Sequence, residues 1–423
     1  VPVGDTWSQQ FGTDATLLQD AQAVFSADKM TRIAVAVSGG SDSMACLHLM
    51  ARTAKHEGWQ VMAVTVDHAL RPESDDEACG VGRVCAGLGV SHHVLRWQHG
   101  AVAGNLMDAA RKARYALMAD WAATHEISHI VLGHTADDQA ETFLMGLARG
   151  AGLDGLVGMR KGWDQGGVRF VRPFLTQSRA DLRGYLTRNG MEWVDDPSNE
   201  NDRFTRVKAR RVLKALKPLG ITADRLNGVI LNLTKAQGIV QAATRDAAAQ
   251  ICRTDAGEVI FDRKLWLDAG GEVQHRLLCA ALRWVSGAAY APRGSGVDRV
   301  SQAIIAGGDA TLAGCRIRVT QAVFRVVREP KAVSQLSCPV AEVWDRRWAL
   351  EGPIAEGLHI RALGAEGLQQ CKRWRQTGHS RDSLVVSPSV WYGETLISAP
   401  LAGFGPEWTA RIVAGFSLFV VSH

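Results

Sequence analysis

Six consecutive residues, Ser38-Gly39-Gly40-Ser41-Asp42-Ser43, put two glycines, three hydroxyls and one carboxylate between an apolar run and a helical stretch. Glycines let main-chain N–H groups approach an anion closely. A helix starting there adds its positive end. Asp42 would repel bare phosphate, so its charge suits a Mg²⁺ ion bridging phosphates. A Gly-Gly turn with Ser or Asp capping a helix would use the same residue types. The strand–loop–helix setting and the complete six-residue pattern favour phosphate. No G-x-x-x-x-G-K-[ST] occurs, which excludes a Walker-type loop. Gly150-Ala151-Gly152-Leu153-Asp154-Gly155 has the G-x-G-x-x-G form but follows a helix, so a dinucleotide site is set aside.

Four other clusters carry reactive groups. Asp67, His68 and Arg71 follow a second apolar run, where a loop with stray charges is the plain alternative. Asp108, Arg111 and Tyr115 are three and four apart, with Arg114 beside them, so one helix face presents them. A solvated ion-pair face is the commoner use of such residues. His134 precedes Thr135, which with Asp138 fits a capping box. Asp137 and Glu141 project together from that helix start; they could bind an amine or simply complement the helix dipole. Arg203, Arg206 and Arg210 share a face, with Lys208, Arg211, Lys214 and Lys217 nearby and no acid in 203–217. An acid-free basic helix leans toward phosphate contact.

Alternating elements must position these groups. Strands are expected at 32–37, 61–66, 93–97, 129–132 and 168–171, with helices at about 43–57, 76–88, 105–124, 136–148 and 180–188. That alternation predicts an open α/β parallel sheet of about five strands with helices on both faces. Ligands in such sheets sit beyond the carboxyl ends of the strands, where Ser38, Asp67 and His134 all fall. After about residue 219 the texture changes. Helices are expected at 224–250 and 272–286, strand-like pieces at 316–319 and 323–327, and a β-rich end after Cys338-Pro339.

A length of 423 residues suggests roughly two to three domains. The boundaries read as 1–218, 219–335 and 336–423. A hydrophobic content of 46% is enough to bury real cores. The net charge of +5 permits an RNA partner without requiring one. The eight cysteines form no C-x-x-C pair, which argues against zinc and for reduced thiols in a cytosol. No apolar run reaches the ~18 residues of a membrane span. The N-terminus lacks a signal-peptide pattern. A cytoplasmic protein is expected, and the start at Val1 leaves room for a missing lead.

In order and spacing, these segments resemble the tRNA(Ile)-lysidine synthetase family of PP-loop ATP pyrophosphatases. The matches are S-G-G-x-D-S at Ser38–Ser43, D-H-x-L-R at Asp67–Arg71 and A-R-x-x-R-Y at Ala110–Tyr115. They continue with G-H-x-x-D-D-Q-x-E-T at Gly133–Thr142, L-x-R-G-x-G-x-x-G-L at Leu147–Leu156, R-P-F-L at Arg172–Leu175 and D-P-S-N at Asp196–Asn199. Asp108 stands where the family often has Glu, and Arg206-Val207-Lys208-Ala209-Arg210 where R-N-x-I-R is frequent.

The resemblance implies ATP and Mg²⁺, with Asp42 on the metal and Ser38, Gly39, Gly40, Ser41, Asp42, Ser43, Asp67, His68 and Arg71 around the nucleotide. It implies catalytic roles for Asp42, Arg111, His134, Asp137 and Glu141, and tRNA contacts from Arg114, Arg203, Arg206, Arg210 and Arg211. Asp137 or Glu141 would hold the ammonium of free lysine, and His134 or an acid would take its proton. A PP-loop catalytic domain (1–218) would precede a mainly helical substrate-binding domain (219–335) and a small β-rich tRNA-binding domain (336–423). The Lys372-Arg373-Trp374-Arg375 patch is a candidate contact there. Isoleucine tRNA and lysine would be substrates, no membrane would be involved, and a homodimer is left open. The competing readings are another PP-loop ligase such as a thiolase, for which the C-x-x-C is missing, and a non-catalytic tRNA-binding protein, against which the intact acids argue.

Overall fold

The computed structural model describes residues 14–23, 32–67, 74–98, 106–194 and 205–422. His68, Arg71, Arg203 and Asp196–Asn199 lie outside the described residues. The chain divides into two compact units, Val1–Gln237 and Gly238–His423.

In the first unit, helices and strands alternate: α1 (Ala15–Ala23), β1 (Arg32–Ala36), α2 (Ser41–Glu57), β2 (Gln60–Asp67), α3 (Ser74–Leu88), β3 (Ser91–Arg96), α4 (Leu106–Thr124), β4 (His129–Leu132), α5 (Ala136–Ala148), α6 (Leu153–Leu156), β5 (Gly162–Gln165), β6 (Val168–Val171), α7 (Arg179–Arg188) and α8 (Thr205–Leu216). The sheet order is β3-β2-β1-β4-β6-β5. The first five of these are parallel to one another. All five expected strands form.

The sheet also has a sixth strand that the sequence reading did not include. β5 pairs antiparallel with β6 across a Gly166-Gly167 turn, so the sheet is mixed and mostly parallel. β1 shows why both faces need helices. Ile33 and Val35 join a core with Leu47 and Met50 of α2, while Ala34 joins one with Met118 of α4 and Ile130. A strand buried on both faces reads as a continuous apolar run. Because β1 lies between β2 and β4, the chain reverses its direction of growth there, and the crevice opens beyond the ends of those strands.

Helix α9 (Ala223–Ile251) carries the chain out of the first unit. Its start packs Leu226 and Ile230 against Ala140, Phe143 and Leu213, within the first compact unit.

The second unit contains the expected helix Gly271–Ser286 and a five-stranded antiparallel sheet. The strands are β7 (Cys252–Asp255), β8 (Glu258–Asp262), β9 (Ala310–Leu312), β10 (Cys315–Val319) and β11 (Val323–Arg328). The helices of this stretch therefore cover a sheet as well as one another. Phe261 and Phe324 stack at 4.4 Å in its core, with Trp266 edge-on to Phe324. Beyond it lie a four-stranded sheet of β12 (Ser337–Pro339), β14 (Leu358–Ala362), β15 (Pro388–Tyr392) and β16 (Thr395–Ser398), and a pair of β13 (Trp348–Glu351) with β17 (Thr409–Ile412). Among the described residues no helix is long and apolar enough to cross a membrane.

Candidate active site

The loop between β1 and α2 is held by its own serines. Ser43 Oγ donates to the Gly40 carbonyl at 2.9 Å and accepts from the Ser38 N–H at 3.1 Å. Gly39 has φ +83°, a left-handed conformation that favours glycine. Gly40 precedes the first turn of α2 in extended conformation, and no side chain caps it. The first N–H groups of a helix have no partner within the helix, so they are available to an anion.

The end of β4 meets this loop closely. A Cβ on Gly133 would lie 2.7 Å from the Asp42 carbonyl oxygen and 3.1 Å from Cys46 Cβ. Both neighbours are fixed by the helix. Gly133→Ala should therefore destabilise the protein by about 1–3 kcal/mol through overpacking. Denaturant melts would measure this, and a wild-type midpoint would refute the close seam.

Three acids, Asp42, Asp137 and Glu141, and four arginines line a cavity of about 920 Å³ beyond these strand ends, with Asp138 beside them on α5. Arg179, the first residue of α7, ties the acids together. Its Nε donates to Asp42 Oδ2 at 2.8 Å and its Nη2 to Asp138 Oδ1 at 3.3 Å. Its Nη1 lies 3.5 Å from Glu141 Oε1, and its backbone N–H donates to Asp137 Oδ2 at 2.7 Å. From α8, Arg210 Nε donates to Glu141 Oε1 at 2.6 Å, and Arg206 reaches Asp138 at 3.8 Å. Burial raises the Asp42 carboxyl above its ordinary value despite the Arg179 guanidinium. Burial and then the Asp138 charge raise Glu141. Glu141 is 1% exposed, and its Oε2 is buried without a hydrogen-bond partner among the described residues. A buried acceptor left open in this way suits an N–H donor arriving from a ligand.

Residues 13–216 match the PP-loop domain family model. The chain is 43% identical, over 96% of its own length and 97% of the relative's, to the tRNA(Ile)-lysidine synthase of Ruegeria pomeroyi. The chain belongs to the tRNA(Ile)-lysidine synthase family. The proteins of that name from Hyphomonas neptunium and Wolbachia pipientis wMel are 39% and 32% identical, over 68% and 75% of this chain and 78% and 76% of theirs.

Among the residues read from the sequence, this tRNA(Ile)-lysidine synthase family member brings Ser38, Gly40, Ser41, Asp42, Ser43, Arg114, His134, Asp137, Glu141 and Arg210 onto one cavity wall. Asp67 is buried at the end of β2, 3.5 Å from Arg96 Nε, and is not among the lining residues. Arg111 is exposed, with Cζ 5.3 Å from the centroid of the Tyr115 ring, and does not line the cavity either. Asp108 pairs with Lys112 at 2.7 Å, as a solvated helix face would. Arg206 and Arg210 turn toward the α5 acids, while Arg211 is exposed on α8. Lys214 and Lys217 join the cavity wall. Asp138 forms the expected capping box with Thr135 and also takes part in the ion-pair cluster.

His134 is placed differently from a general base. Its Nδ1 accepts from Arg172 Nε at 3.1 Å, and that geometry assigns the proton to Nε2. Burial, reinforced by Arg172 and Arg206, drives its pKa well below the ordinary value. It is thus a neutral ring with a donor N–H and its lone pair engaged.

Arg179 and Arg183 were not singled out in the sequence. Arg183 Nε donates to Ser41 Oγ at 3.1 Å. The only sequence signal was their place in the first turns of a helix soon after R-P-F-L. In the second unit, Trp374 packs partly buried against a core containing Leu368 and Leu384, with the Arg375 guanidinium 4.5 Å from its ring centroid. That placement fits a packed Trp flanked by surface charge.

Proposed function

We propose that this chain joins free lysine to C2 of the wobble cytidine of the isoleucine tRNA with a CAU anticodon, in two steps within this cavity. Its family membership gives it tRNA(Ile)-lysidine synthase activity through the PP-loop ATP-binding domain. In the first step the cytosine O2 attacks the α-phosphorus of ATP, the bond to the β-phosphate oxygen breaks, and pyrophosphate leaves. In the second the lysine ε-amine attacks C2, gives up a proton, and AMP leaves with the former O2. AMP is a far better leaving group than hydroxide, which is why the oxygen is activated first.

The residues support this division. Ser38–Ser43 and the start of α2 face the phosphates. Asp42 would hold Mg²⁺ together with phosphate oxygens, since Mg²⁺ commonly takes one or two carboxylates plus phosphates. Among the described residues no group of three or more His, Cys, Asp or Glu side chains could form a protein-built metal cage. When bound, the ion would supply charge neutralisation on the departing pyrophosphate. Arg114 faces the base or the α-phosphate. Asp137 and Glu141 hold the lysine ammonium, whose ordinary pKa near ~10.4 means a proton must be lost before attack. An acid takes that proton, since the lone pair of His134 is engaged. Residues 219–335 and 336–423, with the exposed Arg211, would bind the tRNA body, and the reaction is placed in the cytoplasm.

The observation that carries this reading is the meeting of the PP-loop carboxylate with the Asp137/Glu141 pair in one cavity. No cysteine lines it among the described residues, so a thiolase chemistry would lack a local sulfur. Incubation with labelled lysine, ATP and isoleucine tRNA should put label into the tRNA. Absence of label, with pyrophosphate released when another nucleophile is supplied, would overturn the reading.

A further inference from the structure

The acid cluster is closed by a cation belonging to the protein. Arg179 reaches Asp42 at 2.8 Å but stands 3.3 Å from Asp138 and 3.5 Å from Glu141, so two of its three ion pairs are loose. One Glu141 oxygen beside it has no donor among the described residues. The Arg179 backbone, by contrast, is anchored. Its N–H is held by Asp137, the preceding Ser178 closes a capping box with Asp181, and Tyr185 further along α7 meets His48 Nδ1 of α2 at 2.6 Å. A fixed backbone carrying a long side chain that is 21% exposed to the cavity can change partners without moving the helix.

We propose that Arg179 is a displaceable counter-cation: in the free enzyme its guanidinium lies against Glu141, where the lysine ε-ammonium is to be held, and the incoming amine drives it off that carboxylate toward Asp42 and the phosphate side of the crevice. This rests on the reading that Asp137 and Glu141 hold the ammonium. Two cations about 4 Å apart repel strongly in so desolvated a site. Arg206 and Arg210 already serve Asp138 and Glu141 from the other side. An ammonium entering beside Glu141 therefore displaces Arg179, whose contact there is 3.5 Å, before Arg210, whose contact is 2.6 Å. With ATP bound, phosphate charge at the Ser41 end of the cavity, beside Arg183, would receive the departing guanidinium. Arg179 is in this sense a positioning residue that couples amine entry to phosphate contact.

The test is calorimetric titration of free L-lysine into the full chain without tRNA. Arg179→Gln removes the competitor, and lysine should bind about fivefold tighter or more, the scale of a coupling of 1–3 kcal/mol. Arg179→Lys retains a cation and should stay close to wild type. A purely structural role would leave lysine affinity unchanged or weaken it in Arg179→Gln, and either result overturns the proposal. Glu141→Gln, run in parallel, should weaken binding. If it does not, the ammonium reading itself fails; if it does while Arg179→Gln shows no tightening, only the counter-cation role fails. The wild-type protein supplies a check independent of variant folding. With ¹⁵N-labelled arginine, the Arg179 Nε–H resonance should shift and lose exchange protection as lysine is added. An unchanged resonance at saturation also overturns the proposal.

Discussion

Asp42→Asn should reduce tRNA-dependent pyrophosphate release by roughly a hundred- to a thousandfold or more, the scale seen when one transition-state electrostatic contact is lost. The substitution keeps the shape and removes the charge. Burial already raises this carboxyl, so the fold bears a cost for ionising it that the amide does not incur. The thermal midpoint should therefore stay near wild type, and the loss will be one of chemistry. Arg179 also loses its closest carboxylate partner, at 2.8 Å, which leaves Asp138 and Glu141 to hold it. Release of labelled pyrophosphate at saturating ATP measures the effect. Turnover within a few-fold of wild type would remove Asp42 from the metal-holding role.

Glu141→Gln should separate the two steps. Its carboxylate sits 1% exposed on the α5 wall with one oxygen on Arg210 and the other open. The amide keeps an acceptor for Arg210 but offers no charge to an ammonium. The KM for lysine should rise by at least about tenfold, a loss of ~1.4 kcal/mol or more. Pyrophosphate release measured without lysine should fall much less. The pH dependence follows from the direction of the shift. As pH falls through the raised pKa of Glu141, the site gains a proton and loses its hold on the amine. Lysine affinity should therefore decline at a higher pH than an exposed glutamate would produce, and the glutamine variant should lack that inflection. Equal loss in both steps would mean that Glu141 supports the whole cavity rather than the amine.

Local patterns made much of this site legible. Val35 and Ile33 announced a strand buried on both faces, the Gly39-Gly40 pair announced a turn into a helix, and Thr135 with Asp138 gave a cap that the structure contains. β5 escaped because its four residues, Gly162–Gln165, are short and mixed in polarity, although the Gly166-Gly167 pair ahead of β6 was a hairpin signal. Arg179 escaped for a deeper reason. Its partner Asp42 is 137 positions away and Asp138 is 41 away, and no spacing rule reaches that far. The α8 arginines show the converse. Their shared face was readable from the three- and four-residue spacing, but which charges that face would meet depends on α5, which only the packed fold supplies.

The seam at Gly133 has a consequence for the order of events. With no side chain between them, the end of β4 and the first turn of α2 rest directly on each other. On the proposed reading, the helix that would face the phosphates and the strand that leads into the helix proposed to hold the amine share one mechanical reference. Activation and attack would then be gauged from the same point, with a nucleotide on α2 in register with a nucleophile on α5. A different amine could be accommodated by altering α5 or α8, whose contacts are made by long side chains, whereas the seam itself has no slack to give.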